Sequence, residues 1–103
     1  MKKEKNKSLS GKQRRELRAL GHHLDPVLQV GKEGVSEGVM ASAERELDAH
    51  ELIKVKVLET APETPEEAAK ALAKGTGAHI AQVMGRTTLL FRARADNPRI
   101  FPA

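Results

Sequence analysis

Residues 26–58 read PVLQVGKEGVSEGVMASAERELDAHELIKVKVL, and the order of patterns within them decides the fold. The apolar run at residues 27–30 predicts a short strand that ends at a glycine. Ser36 then precedes apolar residues spaced three and four apart, which predicts an N-cap and a helix that runs to about His50. From residue 52 to residue 58, apolar and polar residues alternate as in a strand with one face in the core and one basic face. The stretch therefore predicts a β-α-β unit.

Two further helices flank this unit. Upstream, residues 10–21 place leucines along one stripe and basic residues on the opposite side, which predicts an amphipathic helix that ends at Gly21. Downstream, Thr64-Pro65-Glu66-Glu67 has the residue order of a capping box, with proline at the first helical position. This third helix is expected to run to Lys74 and to stop at Gly75.

The C-terminal third is rich in β-branched and apolar residues. It predicts strands at residues 79–84 and 87–94, paired as a hairpin around Gly85-Arg86. The order α-β-α-β-α-β-β then gives an α/β fold with two layers and a four-stranded mixed sheet. The sequence leaves open which strands are neighbours. One core is expected, formed by Leu17, Leu20, Val39, Leu47, Ile53, Val55, Leu72 and Phe91.

The length of 103 residues fits a single domain. Residues 1–8 are nearly all polar or charged and are expected to form a flexible basic arm. Residues 9–96 are expected to form the folded domain. Residues 97–103 follow as a C-terminal tail, in which Ile100 and Phe101 either dock on the domain or do not.

Charge is distributed unevenly along the chain. Residues 1–18 carry a net charge of +6, residues 86–103 carry +3, and the segment between them carries −5. If the fold brings the two ends together, their positive field attracts phosphate backbones or anionic lipid. The chain has no Cys and no apolar run near the roughly 20 residues that cross a bilayer. We therefore expect a cytoplasmic protein that neither crosses a membrane nor is exported.

Residues suited to catalysis or metal binding are few. The histidines have neither the i,i+4 spacing nor the carboxylate partners of a metal or acid–base site, and we interpret them as structural. No Ser or Thr lies in a nucleophile motif. We expect no enzyme activity, no metal and no cofactor. The four histidines are His22, His23, His50 and His79.

Basic residues on predicted surfaces indicate an RNA-binding surface. The chain has two Phe and no Trp or Tyr, so it lacks an aromatic stacking platform, and contact is expected through phosphates, sugars and duplex shape. The alternative is a solvated face, the usual state of surface Lys and Arg. The candidates are Lys12, Arg14, Arg15 and Arg18 on the first helix, with Lys54, Lys56, Arg86, Arg92 and Arg94 on or beside strands two and four.

The connection Gly31-Lys32-Glu33-Gly34 is a further candidate. Its glycines let the backbone approach a phosphate closely, beside the positive end of a helix dipole. Two glycines in a connection are more often simple turn geometry. The loop lacks the Gly-Lys-Ser/Thr ending of a P-loop, and the chain has no GxGxxG motif, so a mononucleotide site is not expected.

Several motifs at consistent spacing resemble the CRM family, named for chloroplast RNA splicing and ribosome maturation, in its stand-alone bacterial YhbY-like form. The resemblance covers residues 9 to about 94. It is carried by Leu9-Ser10-x-Lys12-Gln13, Pro26-Val27, Val30-Gly31-Lys32-x-Gly34-Val35-x-x-Gly38-Val39, His50-Glu51-Leu52-Ile53-Lys54-Val55-Lys56-Val57, Gly75-x-Gly77 and Gln82-Val83-x-Gly85-Arg86.

The resemblance implies a compact domain similar to the C-terminal domain of a bacterial translation initiation factor. It also implies a GxxG loop at Gly31, Lys32, Glu33 and Gly34, used as in KH domains, and an RNA-facing surface on the first helix. The expected function is a monomeric, non-catalytic ribosome assembly factor that binds precursor large-subunit rRNA or a pre-ribosomal particle. The alternative is a protein-interaction adaptor in ribosome maturation, docked through acidic helices two and three, with incidental RNA contact.

Two departures from the family pattern bear on RNA contact. Phe91 precedes Arg92 where the family more often has Tyr, so a hydroxyl that could touch RNA is missing. Glu33 partly cancels the charge of Lys32 within the loop.

Overall fold

A computed structural model describes residues 8–102. The helices are α1 (Gly11–Gly21), α2 (Glu37–His50) and α3 (Pro65–Thr76), and the strands are β1 (Leu28–Val30), β2 (Leu52–Val57), β3 (His79–Met84) and β4 (Thr87–Phe91). The predicted α/β class and element order are confirmed. The predicted basic arm lies outside the described residues except for Ser8. Within residues 8–102, no helix is long and apolar enough to cross a membrane.

The strands form one mixed sheet in the order β1-β2-β4-β3. β1 runs parallel to β2, with Leu28 opposite Val55, and β4 is antiparallel to both of its neighbours. The predicted hairpin is therefore present, and its second strand inserts beside β2. β4 is central and covered on both sides, because its residues from Thr88 to Phe91 are all buried. This burial explains its continuous apolar run.

Helices cover both faces of the sheet, so the domain has three layers where two were expected. The single expected core accordingly divides in two across the sheet. Leu20, predicted to be in the core, is 46% exposed beside the end of α1. Under α2 and α3 lie Val30, Ala43, Leu47, Ile53, Val55, Val57, Ala68, Leu72 and Leu90. Under α1 lie Leu17, Leu52, Ala81, Leu89 and Phe91.

Helix starts follow the local sequence closely. Ser10 and Gln13 form a capping box at α1, Ser36 caps α2, and Thr64 and Glu67 form the capping box predicted for α3. The predicted stop of α3 at Gly75 is wrong, because the helix continues to Thr76 and ends at Gly77. Gly77 has φ +78°, the left-handed conformation that closes many helices.

The C-terminal tail docks on the domain, which the sequence left open. The buried Glu51 carboxylate accepts hydrogen bonds from the backbone N–H groups of Arg94 (2.8 Å), Arg99 (3.0 Å) and Ile100 (3.0 Å). Phe101 then contacts Phe91 edge-on, with ring centroids 5.4 Å apart. The tail thus closes one end of the α1 core.

Candidate nucleic-acid interface

The outer side of α1 is basic. Lys12 and Arg15 are exposed and Arg18 is half-buried, while Leu17 of the same helix points into the core. None of these three side chains lies within ion-pair distance of a carboxylate in the part of the chain that is described. The helix therefore presents three unneutralised cations on one face of the molecule.

The sheet face beside α1 extends this basic surface. Gly21 ends the helix so close to the sheet that a Cβ atom there would lie 2.7 Å from Leu89 Cδ2. Beyond this contact α1 leaves the sheet uncovered, with Lys54 half-buried and Lys56 exposed. Because these lysines are two residues apart in a strand, their side chains emerge on the same face about 7 Å apart. Neither pairs with a carboxylate of residues 8–102.

The opposite side of the molecule is acidic. α2 carries Glu37, Glu44, Glu46 and Asp48 against one Arg, a net charge of −3, whereas α1 carries four basic residues against Glu16, a net charge of +3. The two helices lie on opposite faces of the sheet. The fold therefore separates charge across the domain, and a polyanion is attracted to the α1 face.

The loop Gly31–Gly34 lies at the end of β1, two residues beyond the pair formed by Lys56 and Gln29. Lys32 and Glu33 are exposed at its tip, and the N–H of Gly34 donates to the Gly31 carbonyl at 2.9 Å. Gly34 is buried with φ +73°. The loop is thus at the same edge of the sheet as the end of β2 that carries Lys54 and Lys56.

A carboxylate already occupies the inner side of the loop. Glu63 Oε2 accepts a hydrogen bond from the Val35 backbone N–H at 3.1 Å. A Cβ on Gly34 would lie 2.9 Å from the same oxygen. The second oxygen, Oε1, is buried and has no hydrogen-bond partner in the described part of the chain. A glycine is therefore favoured at position 34 both by the positive φ angle and by the closeness of Glu63, whose carboxylate fills the inner side of the loop.

Comparison with known proteins identifies the family. The CRS1/YhbY (CRM) domain model matches residues 9–92. This chain belongs to the CRM domain family. It is 41% identical to YqeI of Bacillus subtilis, named a probable RNA-binding protein, over 89% of this chain and 96% of that one. It is also 42% identical to an RNA-binding protein of Haemophilus influenzae, over 82% of this chain and 86% of that one.

A solved structure has the same fold as this CRM domain. SAV1595 of Staphylococcus aureus, a hypothetical protein proposed to bind RNA, superposes with a TM-score of 0.77. The two chains are 35% identical, and the match covers 93% of this chain and all of that one. The predicted family and fold are thus both confirmed.

Four arginines among the RNA-binding candidates donate hydrogen bonds to other parts of the domain: Arg14, Arg86, Arg92 and Arg94. Arg14 Nη1 donates to the Ile80 carbonyl at 2.8 Å. Arg86 Nε donates to the Val57 carbonyl at 2.7 Å, and its Nη2 donates to the Leu58 carbonyl at 3.1 Å. These bonds use one of the five N–H donors of Arg14 and two of those of Arg86, and they fix both guanidinium groups against backbone carbonyls of the sheet and its connections.

Arg92 lies outside the candidate interface. Its guanidinium forms 2.8 Å ion pairs with Glu44 and Asp48 of α2 and donates to the Thr76 carbonyl at 2.7 Å. It therefore lies on the acidic side of the domain, because the residue after β4 turns toward α2. Arg94 is similarly directed at the Asp48 and Ala49 carbonyls. The sequence gives no sign of these partners, of which those on α2 are more than 40 residues away along the chain.

His79 packs against an aromatic side chain of β4. His79 stacks on Phe91 with ring centroids 6.5 Å apart. Burial lowers the pKa of His79, and the nearby positive charge of Arg14 lowers it further, so this ring is neutral near pH 7. Within residues 8–102, no three His, Asp or Glu side chains come together as a metal site.

Proposed function

We propose that this CRM domain is a non-catalytic RNA-binding protein whose contact surface is the α1 face. The observation that carries the proposal is a group of five cations on one face, none paired with a carboxylate in the described residues. A strongly acidic α2 lies on the opposite face. We define these five residues as the basic track: Lys12, Arg15, Arg18, Lys54 and Lys56.

The relatives support RNA as the polyanion, because those from B. subtilis and H. influenzae are named RNA-binding proteins. We further propose that the RNA is precursor large-subunit rRNA, bound within a pre-ribosomal particle during assembly. The support for this finer step is the family resemblance. A duplex-DNA reader is disfavoured, since α1 packs flat on the sheet and projects no recognition helix into a groove.

The GxxG loop is proposed to end the basic track at the far edge of the sheet. Lys32 supplies one more exposed cation there. Gly31 supplies a backbone without a side chain, and a Cβ at this position would meet only Leu58 Cδ1, at the ordinary contact distance of 3.7 Å. Because Glu63 occupies the inner side of the loop, the phosphate contact is assigned to Gly31 and Lys32 on its outer side.

Alanine substitutions along the track are expected to weaken RNA binding additively. Lys12→Ala, Arg15→Ala and Arg18→Ala each remove one phosphate neighbour, so each lowers the slope of log K against log salt by about one or less. Binding is measured from 50 to 300 mM salt with a ribosomal RNA fragment, and with duplex DNA of equal length as competitor. Lys70→Ala on α3 is the matched control. Equal affinity for both nucleic acids would reduce the proposal to general polyanion binding.

Gly31→Ala is expected to weaken RNA binding without changing the melting temperature. The added methyl group fits beside Leu58 but separates the loop from a phosphate, and we expect a loss of roughly three- to tenfold in affinity, up to about 1.4 kcal/mol. Gly34→Ala is the contrasting variant, because strain at φ +73° and the collision with Glu63 lower stability directly. If Gly31→Ala binds RNA as the parent does, the loop makes no close contact.

The acidic α2 favours a second candidate function, that of a protein-interaction adaptor. Glu44 and Asp48 share the single positive charge of Arg92, and Glu46 lies 3.5 Å from His50, whereas Glu37 has no ion-pair partner among the described residues. A basic ribosomal protein complements such a surface. Affinity purification with and without nuclease separates the two functions, since an adaptor keeps its partner after the RNA is digested.

A further inference from the structure

The uncovered part of the sheet beside α1 contains a small cavity of about 130 Å³. Residues of two rungs of the sheet line it, namely Lys54, Gln82, Met84, Thr87 and Leu89. Lys54, Leu89 and Gln82 lie side by side across β2, β4 and β3, and Lys56, Thr87 and Met84 form the next rung. Directly opposed residues project on the same face of a sheet. Each rung therefore has a lysine at one side and a residue of the edge strand β3 at the other.

A β-bulge in the edge strand β3 turns the side chain of Gln82 toward the cavity. The register shifts between Ile80 and Gln82, so Ala81 and Gln82 together oppose Leu89. Without the extra residue, Gln82 would oppose Thr88 and point into the core under α2 and α3. Bulges commonly redirect a side chain at a functional edge. The Arg14 guanidinium binds the Ile80 carbonyl at this bulge, so α1 itself holds the redirected strand.

The cavity combines apolar contact with unused polar groups. Met84 is 58% exposed and offers a polarizable, apolar surface, whereas Leu89 beside it is only 3% exposed. The Gln82 carboxamide, the Thr87 hydroxyl and the Lys54 amine make no hydrogen bond to any group within residues 8–102. A carboxamide donates and accepts at once, which matches the edge of a nucleobase. The strand residues of this face include two lysines and no acid.

We propose that this cavity binds one unpaired nucleobase of the RNA held on the basic track. The base lies on Met84, Gln82 pairs with its edge, and Lys54 and Lys56 contact the adjoining phosphates. The size of the cavity admits one base and not a base pair, and a base stacked within a duplex cannot reach it. This inference rests on the proposed RNA-binding function and adds a preference for RNA with a bulged or looped-out nucleotide.

Two hairpin RNAs with identical stems test the inference, one fully paired and one with a single bulged 2-aminopurine. The parent protein is expected to prefer the bulged RNA by roughly three- to tenfold, below the gain from aromatic stacking, and to change the fluorescence of the probe. Gln82→Ala and Met84→Ala are expected to abolish this preference while keeping the melting temperature and the salt slope. Gln29→Ala removes an amide from the same sheet face outside the cavity and is expected to keep the preference.

Each outcome has a distinct meaning. A preference that survives both Gln82→Ala and Met84→Ala, or equal binding of the two hairpins by the parent, overturns the base site while leaving the RNA-binding function in place. If neither hairpin binds with a salt-dependent affinity, the proposed function fails and the base site fails with it.

Discussion

Val55→Asp is expected to unfold the domain or to remove most of its stability. Val55 is fully buried in the core under α2 and α3, so the carboxylate would lose its hydration. Its cross-strand partner Thr88 has a buried hydroxyl without a hydrogen-bond partner in residues 8–102. One bond to that hydroxyl recovers only about 1 kcal/mol. The net cost is several kcal/mol of the roughly 5 to 15 kcal/mol available, measured by urea denaturation.

Lys56→Asp is the matched control, one position along the same strand. Its side chain is exposed on the opposite face of β2, so this variant is expected to melt close to the parent and to lose RNA affinity. Stability and RNA affinity, measured for both variants, therefore distinguish the buried face of β2 from its exposed face. If Val55→Asp melts where the parent does, the assigned orientation of β2 is wrong.

Glu51→Ala is expected to cost about 3 kcal/mol or more, since it removes the charged acceptor shared by three backbone N–H donors, and a hydrogen bond to a charged group contributes about 1.5–3 kcal/mol. Those donors belong to Arg94, Arg99 and Ile100, so the tail is released together with the packing of Phe101. Glu51 also has φ +67°, and Glu51→Gly separates the two effects. Glycine relieves the backbone strain without restoring the acceptor, so it is expected to remain far less stable than the parent.

Acid should weaken the same contact. Burial raises the pKa of Glu51, but hydrogen bonds from the backbone at Arg94, Ile100 and Arg99 outweigh it and hold the pKa below its usual value. Stabilisation by this carboxylate is therefore complete above the ordinary glutamate pKa and is lost as the pH falls through the lowered one. Denaturation of the parent and of Glu51→Gln across this range tests the point. A stability difference that does not shrink in acid would contradict it.

Local sequence patterns determined most of the secondary structure. Ser36 and the Thr64–Glu67 capping box start their helices as predicted, because a cap is a contact within three residues. The alternation in β2 likewise assigned Val55 to the core and Lys56 to the outside. The end of α3 was misassigned because both Gly75 and Gly77 suit a helix stop, and tertiary packing selects the second.

Local sequence patterns did not predict the order of the strands in the sheet. Placing β4 between β2 and β3 buries it on both faces and puts α1 alone on one side. This arrangement divides the expected single core and leaves Leu20 exposed. Strand order depends on contacts between segments that are far apart in the chain, and hydrophobic periodicity within one segment carries no information about its neighbours.

The candidate interface likewise has features that the sequence predicts and features that only the tertiary structure determines. The sequence by itself determined that α1 is basic on its outer side and that Lys54 and Lys56 share a face of β2, since both follow from the periods of helix and strand. Only the tertiary structure decided that Arg92 pairs with Glu44, that Glu63 fills the inner side of the GxxG loop, and that a bulge turns Gln82 outward. Each of these depends on a partner brought close by the fold, and an ionic or hydrogen-bonded contact forms wherever such a partner lies, whatever the distance along the chain.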